Sequence, residues 1–480
     1  EVAVAEPEED FPWHDESLAI EERMEMAKDK PVERKLMAAM AQLDCGSCGY
    51  LCKSYSEAIA SGAEKNLTLC SPGGKETKQM IKKVIAEAGE APASNGTNGT
   101  AAPTNGNAGY SRQNPFSAKL VEARPLNREG SAKDTRHVVI DLSGSGLTYN
   151  VGDALGVYPR NCDELAGAII DWLSADAEMN VTTPAGNQKT LRAALCDDCC
   201  LKDPSDELLE MLIPRVTDAS AKTTLATMIE DGVPDGFDVL DVLELARGAT
   251  ISATEFVETL EPLNPRLYSI ASSMKQVGDE VHLTVGKVVY EREGRLRKGV
   301  ASTMLSERVP VGDQVRVFVQ PNHAGFTTPA DPTTPMIMVG PGTGIAPFVA
   351  FLQERDKTAA GGKNWLFFGD QHEAFDYLYQ DELLAYQQSG LLTRIDTAFS
   401  RDGETKVYVQ DRMRESGDEL WSMLNDGGYF YVCGDATRMA KDVDRALRAI
   451  VAEHGDMTDE QAEAYVKTMA AEGRYHRDVY

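Results

Sequence analysis

"PMIMVGPGTGIAPF", Pro335 to Phe348, is the stretch that decides the fold of the C-terminal part of this chain. A short apolar run ends in a glycine-rich turn, and a helical stretch follows directly. The rhythm recurs in "NWLFFGD" (364–370), "LLTRIDTAFS" (391–400) and "GYFYVCGD" (428–435), with helical stretches such as "ATRMAKDVDRALRAIVAEHG" (436–455) between them. That alternation predicts an open, mostly parallel α/β sheet of the Rossmann-like kind over residues 333–480. The turn itself departs from the G-x-G-x-x-G dinucleotide fingerprint, and alone it is no more than a tight turn.

Upstream the pattern changes. "RHVVIDLSGSGLTYNVGDALGVYP" (136–159) alternates apolar and polar residues between glycine-rich turns, as antiparallel strands do. Strand signals return in "RLYSIASS" (266–273), "DEVHLTVGKVVY" (279–290) and "DQVRVFVQ" (313–320). Between them, "DELAGAIIDWLSA", "DELLEMLIPRV" and "DGFDVLDVLELAR" read as helices. Residues 112–332 are therefore expected to form an antiparallel β-barrel interrupted by a helical insert at about 161–262. "APASNGTNGTAAPTNGNAG" (91–109) holds no large apolar residue and is expected, with the residues to 111, to be a flexible linker. Residues 31–90 form a small cysteine-bearing module, with helices expected from "PVERKLMAAMAQL", where Pro31 takes a first helical position, and from "KETKQMIKKVIAEAGE". Residues 1–30 read as an acidic tail with at most one helix. The whole is a multidomain α/β plus β protein.

Composition narrows the function. A chain of 480 residues is too long for one core. Its formal charge of −28 argues against nucleic acid as a partner and leaves room for a basic protein partner. No apolar run approaches the ~20 residues of a membrane span, and the visible N-terminus lacks a secretory pattern, so a cytoplasmic setting is expected. Because it lacks a starting Met, a segment can precede Glu1. Nine cysteines, an odd number unevenly spread, point to metal or redox chemistry rather than a disulfide scaffold.

Four of them lie in "DCGSCGYLCKSYSEAIASGAEKNLTLCSPGG" (44–74). Cys45, Cys48 and Cys52 crowd together beside small glycines, and Cys70 stands apart before Pro72-Gly73-Gly74. Three close thiolates and one distant thiolate suit an iron–sulfur cubane, one cysteine per iron. Structural zinc and a packed helix face of small thiols are the alternatives. The signature "CGSCGYLC…AIASG…CSPGG" resembles the small [4Fe-4S] domain of corrinoid iron–sulfur proteins and of membrane-bound redox complexes. That resemblance implies Cys45, Cys48, Cys52 and Cys70 as cluster ligands.

In "RLYSIASS", Arg266 can bridge a pyrophosphate, Tyr268 can stack on or edge a flavin ring, and the Ser269 hydroxyl can reach flavin N5. "KGVASTML" places Gly299 to Ser302 at the opening of a helix whose N–H groups can take a phosphate. Ser400 and Arg401, followed by Lys406 and Tyr408 in "KVYVQ", suit the 2′-phosphate of NADPH rather than NADH. Each piece alone is weak. In this order they resemble the C-terminal, FAD/NADP half of the diflavin reductases, which includes the flavoprotein (alpha) subunit of NADPH–sulfite reductase. "YNVGDALGVYPRN", "MIMVGPGTGIAPF", "KVYVQD", "YVCGDATRMAKDV" and the terminal "RYHRDVY" carry the likeness over about residues 114–480.

The resemblance implies Arg266, Leu267, Tyr268, Ser269, Thr284, Val285, Gly286, Tyr290, Gly299, Val300, Ala301 and Ser302 for FAD. It implies Ser400, Arg401, Lys406, Tyr408, Gln410 and Asp442 for NADP, with Gly340, Gly342, Thr343 and Gly344 as further cofactor-binding residues. Ser269, Cys433 and Asp478 resemble the hydride-transfer constellation, with Tyr480 stacked on the flavin ring. The family's usual FMN-binding flavodoxin domain has no counterpart, and the cysteine module stands in its place. "CDDCC" (Cys196, Cys199, Cys200) has no implied role; buried thiols or a second metal site are the alternatives. The expected route runs from NADPH to FAD, to the [4Fe-4S] cluster, and on to a siroheme-bearing sulfite reductase hemoprotein. Electron supply to a nitrite or nitrate reductase or to a ferredoxin is the second reading. A non-catalytic, cluster-bearing assembly subunit is the third.

Overall fold

The computed structural model describes residues 11–15, 18–43, 50–64, 67–70, 72–88, 109–322 and 324–480. The expected linker, up to residue 108, and the positions of Cys45 and Cys48 lie outside those residues.

Six antiparallel strands form the first sheet, in the spatial order Arg266–Ser269, Ala154–Tyr158, Gln314–Gln320, Phe116–Pro125, Thr135–Asp141 and Glu280–Gly286. A bridge between Ile270 and Leu283 joins its two edges, so the sheet curls into a barrel. Alternate residues point inward, and Leu120, Ile140, Leu155, Val157, Leu283 and Val317 fill the interior. The register shift between Leu120 and Glu122 bends the Phe116–Pro125 strand where it passes from one partner to the other.

The insert supplies helices from Asp163–Leu173 to Ala253–Glu258, around its own core of residues such as Ile169, Leu195, Leu209, Leu243 and Phe256. Side chains of Thr190, Ser205, Asp218, Asp238 and Ser252 each accept a backbone N–H at a helix start. These caps let helices as short as six or seven residues begin sharply. The hairpin Val289–Arg292/Arg295–Lys298 is tied to the insert by Arg295 on Asp238 (2.5 Å) and Arg297 on Asp241 (2.5 Å).

The second sheet is parallel throughout, in the order Arg394–Phe399, Asn364–Asp370, Met336–Val339, Tyr429–Gly434, Tyr475–Val479. Its inner strands are covered on both faces, which is why they read as unbroken apolar runs. Strand order reverses between Met336–Val339 and Tyr429–Gly434, and a crevice at the carboxyl ends of such strands is the usual ligand position.

The N-terminal module packs the helices Ile20–Met26, Val32–Ala38, Cys52–Ala60 and Gly74–Ala88 around Leu36, Met40, Tyr55, Ile59, Ile81 and Val84. The stretch expected as a tail contributes the first of these helices and the indole of Trp13, 1% exposed against Ala27 and Ala38. Pro31 is the N-cap of its helix, one residue before the expected first helical position. Among the described residues no helix is long and apolar enough to cross a membrane.

Candidate functional site

A cavity of about 550 Å³ opens between the barrel, the insert, the C-terminal strand and the cysteine module. Arg266, Leu267, Ser269, Tyr290, Asp478 and Tyr480 line it, and so do Thr68, Leu69 and Cys70 of the module. Its size suits a cofactor.

Ser269, Cys433 and Asp478 come together at its inner end. Ser269 closes its short barrel strand, Cys433 sits near the end of Tyr429–Gly434, and Asp478 is its direct neighbour in the parallel register of Tyr475–Val479. The Ser269 hydroxyl donates to Asp478 Oδ2 at 2.5 Å, and the Cys433 thiol donates to the same oxygen at 3.6 Å. Burial pushes the Asp478 carboxyl up, opposed by these two donors. Burial, and then the neighbouring Asp478, push the Cys433 thiol well up, so it stays a protonated donor rather than a thiolate. Two hydrogen-bonded carriers of polar hydrogen are thus held on one carboxylate between the two sheets.

Tyr480 is anchored rather than frayed. Its N–H donates to the Gly434 carbonyl (3.0 Å), and its carbonyl accepts from Ala436 N–H (3.2 Å). Its phenol meets Thr343 Oγ1 at 3.0 Å while 49% of the residue stays exposed. Thr343 belongs to the Gly340–Gly344 turn, where the close fit dictates the glycines. A Cβ at Gly344 would lie 2.1 Å from the Cys433 carbonyl oxygen, and one at Gly340 would lie 2.5 Å from the Gly344 carbonyl oxygen. Gly342 is at φ +57, and a Cβ at Gly286 would come within 3.2 Å of the Thr343 methyl. Gly286, Thr343 and Tyr480 therefore meet at the domain boundary.

Other expected flavin residues are placed differently. Tyr268 packs against the barrel core and Val285 is inside it. Thr284 is buried with its hydroxyl 2.7 Å from the Tyr379 phenol, which also meets His137 Nδ1 at 3.0 Å. Gly299 to Ser302 precede a short π-helical turn, Met304–Arg308, instead of a long helix, and Ser302 Oγ accepts from Val288 N–H at 3.1 Å. The buried group Thr284–Tyr379–His137 joins barrel to parallel sheet, and sequence spacing gave no signal for it.

At the end of Arg394–Phe399, the Ser400 and Arg401 N–H groups each donate at 2.9 Å, to the Asp370 and Gln371 carbonyls. Arg401 and Lys406 are exposed and make no ion pair among the described residues. Tyr408 is 44% exposed at the N-cap of Val409–Glu415, which carries Gln410. Asp442, in the first turn of Met439–His454, pairs instead with Arg445 at 3.0 Å.

In the module, Cys52 begins its helix and is buried, and Cys70 lies across a small cavity from it, lined also by Met40, Ala41, Leu43, Tyr50, Tyr55 and Pro72. Backbone N–H groups of Ala41 and Gly73 bond the Cys70 sulfur, although burial is the larger influence and pushes its thiol up. A Cβ at Gly73 would fall 2.1 Å from Thr77 Oγ1 and 3.1 Å from Cys70 Sγ. Two cysteine sulfurs thus line one apolar pocket, with amide donors aimed at the Cys70 sulfur. Arg23, 7% exposed, bonds the Met40 carbonyl at 2.5 Å and lies within the field of Cys52 and Cys70. It falls in the stretch expected as a tail and was not foreseen.

The "CDDCC" cysteines do not converge, and no group of three or more His, Cys, Asp or Glu forms a metal site among the described residues. Cys196 and Cys199 are in the insert core. The run braces the entry to the Arg266 strand instead: Cys200 N–H donates to the Glu261 carbonyl (2.8 Å), and Leu263 N–H to the Asp198 carbonyl (2.7 Å).

Comparison with known proteins agrees with this architecture. Residues 109–304 match the FAD binding domain family, and residues 338–445 match the oxidoreductase NAD-binding domain family. The chain carries an FAD-binding domain and an oxidoreductase NAD-binding domain. It is 46% identical over 384 residues to the sulfite reductase [NADPH] flavoprotein alpha-component of Bacillus subtilis, covering 79% of this chain and 63% of that protein. The proteins of the same name from Photorhabdus laumondii and Aliivibrio fischeri are 44% and 45% identical, over 77% of this chain and 62% and 61% of their own lengths. The chain thus spans less than two thirds of these relatives.

Proposed function

We propose that the protein is an NADPH-dependent flavoprotein reductase that delivers electrons through a [4Fe-4S] cluster to a sulfite reductase hemoprotein, a siroheme-bearing partner that reduces sulfite to sulfide. One observation carries this: a single cavity has Ser269, Asp478 and Tyr480 on one wall and Cys70, a cluster ligand candidate, on another. The family matches and the relatives' names support the flavin and nicotinamide steps.

Arg266 makes no ion pair among the described residues, faces the cavity, and would hold the FAD diphosphate. FAD, when bound, takes up a hydride and releases its two electrons singly. Arg401 and Lys406 would take the NADPH 2′-phosphate, and the Gly340–Gly344 turn would let the dinucleotide backbone pass close. Tyr480 occupies the approach to Cys433, so it swings aside, giving up its Thr343 bond, when nicotinamide enters. Ser269 and Cys433, fixed by Asp478, then orient the hydride donor against its acceptor, which is a positioning contribution. Cys52 and Cys70, with Cys45 and Cys48, would hold the cluster.

The test is NADPH oxidation by the holoprotein with sulfite, nitrite or a ferredoxin, each with its own terminal enzyme. Sulfide formation coupled to NADPH supports the proposal. Turnover only with nitrite or ferredoxin would redirect it, and no flavin bleaching with NADPH would end it in favour of an inert assembly subunit.

A further inference from the structure

The cysteine module is seated against the insert through a charged contact. Lys78, on the helix Gly74–Ala88, pairs with Glu261 at 2.6 Å, both side chains about three-quarters buried. One turn on, Lys82 reaches Asp206 (3.6 Å) and Glu207 (3.9 Å) at the start of the helix Asp206–Leu212. On the Cys70 side, the Asn264 amide donates to Thr68 Oγ1 at 3.2 Å. Glu261 and Asn264 lie on the segment that the "CDDCC" backbone braces, and that segment runs directly into Arg266–Ser269. The contact therefore fixes the Thr68–Cys70 arm relative to the strand that lines the flavin cavity.

We infer that this Lys78/Lys82–Glu261/Asp206/Glu207 contact is the docking surface that holds the module in its electron-accepting position, with Cys70 as the ligand nearest the flavin. The inference rests on the proposed FAD-to-cluster route and adds to it which face is used and what holds it. Each hydride from NADPH brings two electrons to FAD. They leave one at a time, each reducing the cluster by one electron, while the flavin's proton returns to solvent and the terminal acceptor reoxidises the cluster between transfers. The basic helix face and the acidic insert face are complementary, and partly exposed charges make the contact sensitive to salt.

The test is stopped-flow reduction of the cluster-loaded holoprotein by NADPH, following flavin bleaching and cluster reduction separately. With Lys78→Glu and Lys82→Glu combined, cluster reduction is expected to slow at least tenfold relative to flavin bleaching, read on protein of measured FAD and cluster content because both lysines also line the flavin cavity. Pairing Lys78→Glu with Glu261→Lys should recover most of the rate lost in Lys78→Glu alone. Wild-type cluster reduction should also slow as ionic strength rises. A double variant that reduces its cluster at the wild-type rate overturns this docking surface. A wild-type cluster that NADPH never reduces refutes the route itself, so the two failures are distinguishable.

Discussion

Replacing Asp478 with Asn tests the hydride constellation most sharply, because the two side chains have nearly the same shape. Asp478 Oδ2 is the shared acceptor for Ser269 at 2.5 Å and Cys433 at 3.6 Å. A hydrogen bond to a charged group contributes about 1.5–3 kcal/mol. If that orientation is required at the moment of hydride transfer, its loss corresponds to roughly a 10- to 150-fold slower step at 1.36 kcal/mol per tenfold. Stopped-flow bleaching of the flavin at saturating NADPH measures that step directly. NADPH affinity should change little, since Arg401 and Lys406 lie on other elements. The pH profile gives a second readout. Burial raises the Asp478 carboxyl, so the wild-type rate should fall with decreasing pH at a point above the ordinary carboxylate range as Asp478 takes up a proton. Asp478→Asn should lack that acid limb. Bleaching within twofold of wild type, with the acid limb intact, would refute the assignment.

Other consequences can be checked independently. Arg401→Ala should raise KM for NADPH by roughly tenfold or more while leaving KM for NADH nearly unchanged, since about 1.5–3 kcal/mol of charge-assisted bonding is lost only when a 2′-phosphate is present. Gly344→Ala would drive a methyl to 2.1 Å from the Cys433 carbonyl, so the turn must shift and steady-state NADPH oxidation should fall steeply. Cys70→Ser should lower iron and acid-labile sulfide content while the flavin absorbance remains. His137 is held neutral down to about 3 by burial, whereas the unfolded imidazole takes up its proton near 6.5. Between those values the unfolded state binds more protons, so this residue makes stability fall as pH drops, by up to about 1.4 kcal/mol per pH unit. Urea midpoints at neutral and mildly acid pH should show a shallower pH dependence in His137→Gln.

Much of the fold was legible because its signals are local. The parallel strands around Met336–Val339 are covered on both faces and so read as apolar runs, and the barrel strands alternate because only one face is buried. Less legible was whatever depends on packing between distant segments. Trp13 and Arg23 fall in an acidic stretch whose composition conceals two buried side chains. Thr284 sits in a motif that suggests a flavin contact, yet its hydroxyl faces Tyr379, ninety-five residues away. Gly299 to Ser302 have the composition of a helix start, but Ser302 turns back onto Val288. The meeting of Ser269 with Asp478 follows only from how the two sheets abut, and residue spacing does not encode that. The seat of the cysteine module on Glu261 and Asp206 depends on charges that look, in sequence, like ordinary solvated faces.

The account stands on electrons passing between two centres in one chain. Anaerobic titration of the cluster-loaded holoprotein with NADPH, with no added mediator, measures this by recording flavin absorbance and the EPR signal of the reduced cluster together. The expected result is a reduced-cluster signal that grows as the flavin bleaches and disappears when a terminal acceptor is supplied. A flavin that is fully reduced and turning over beside a cluster that stays oxidised would contradict it.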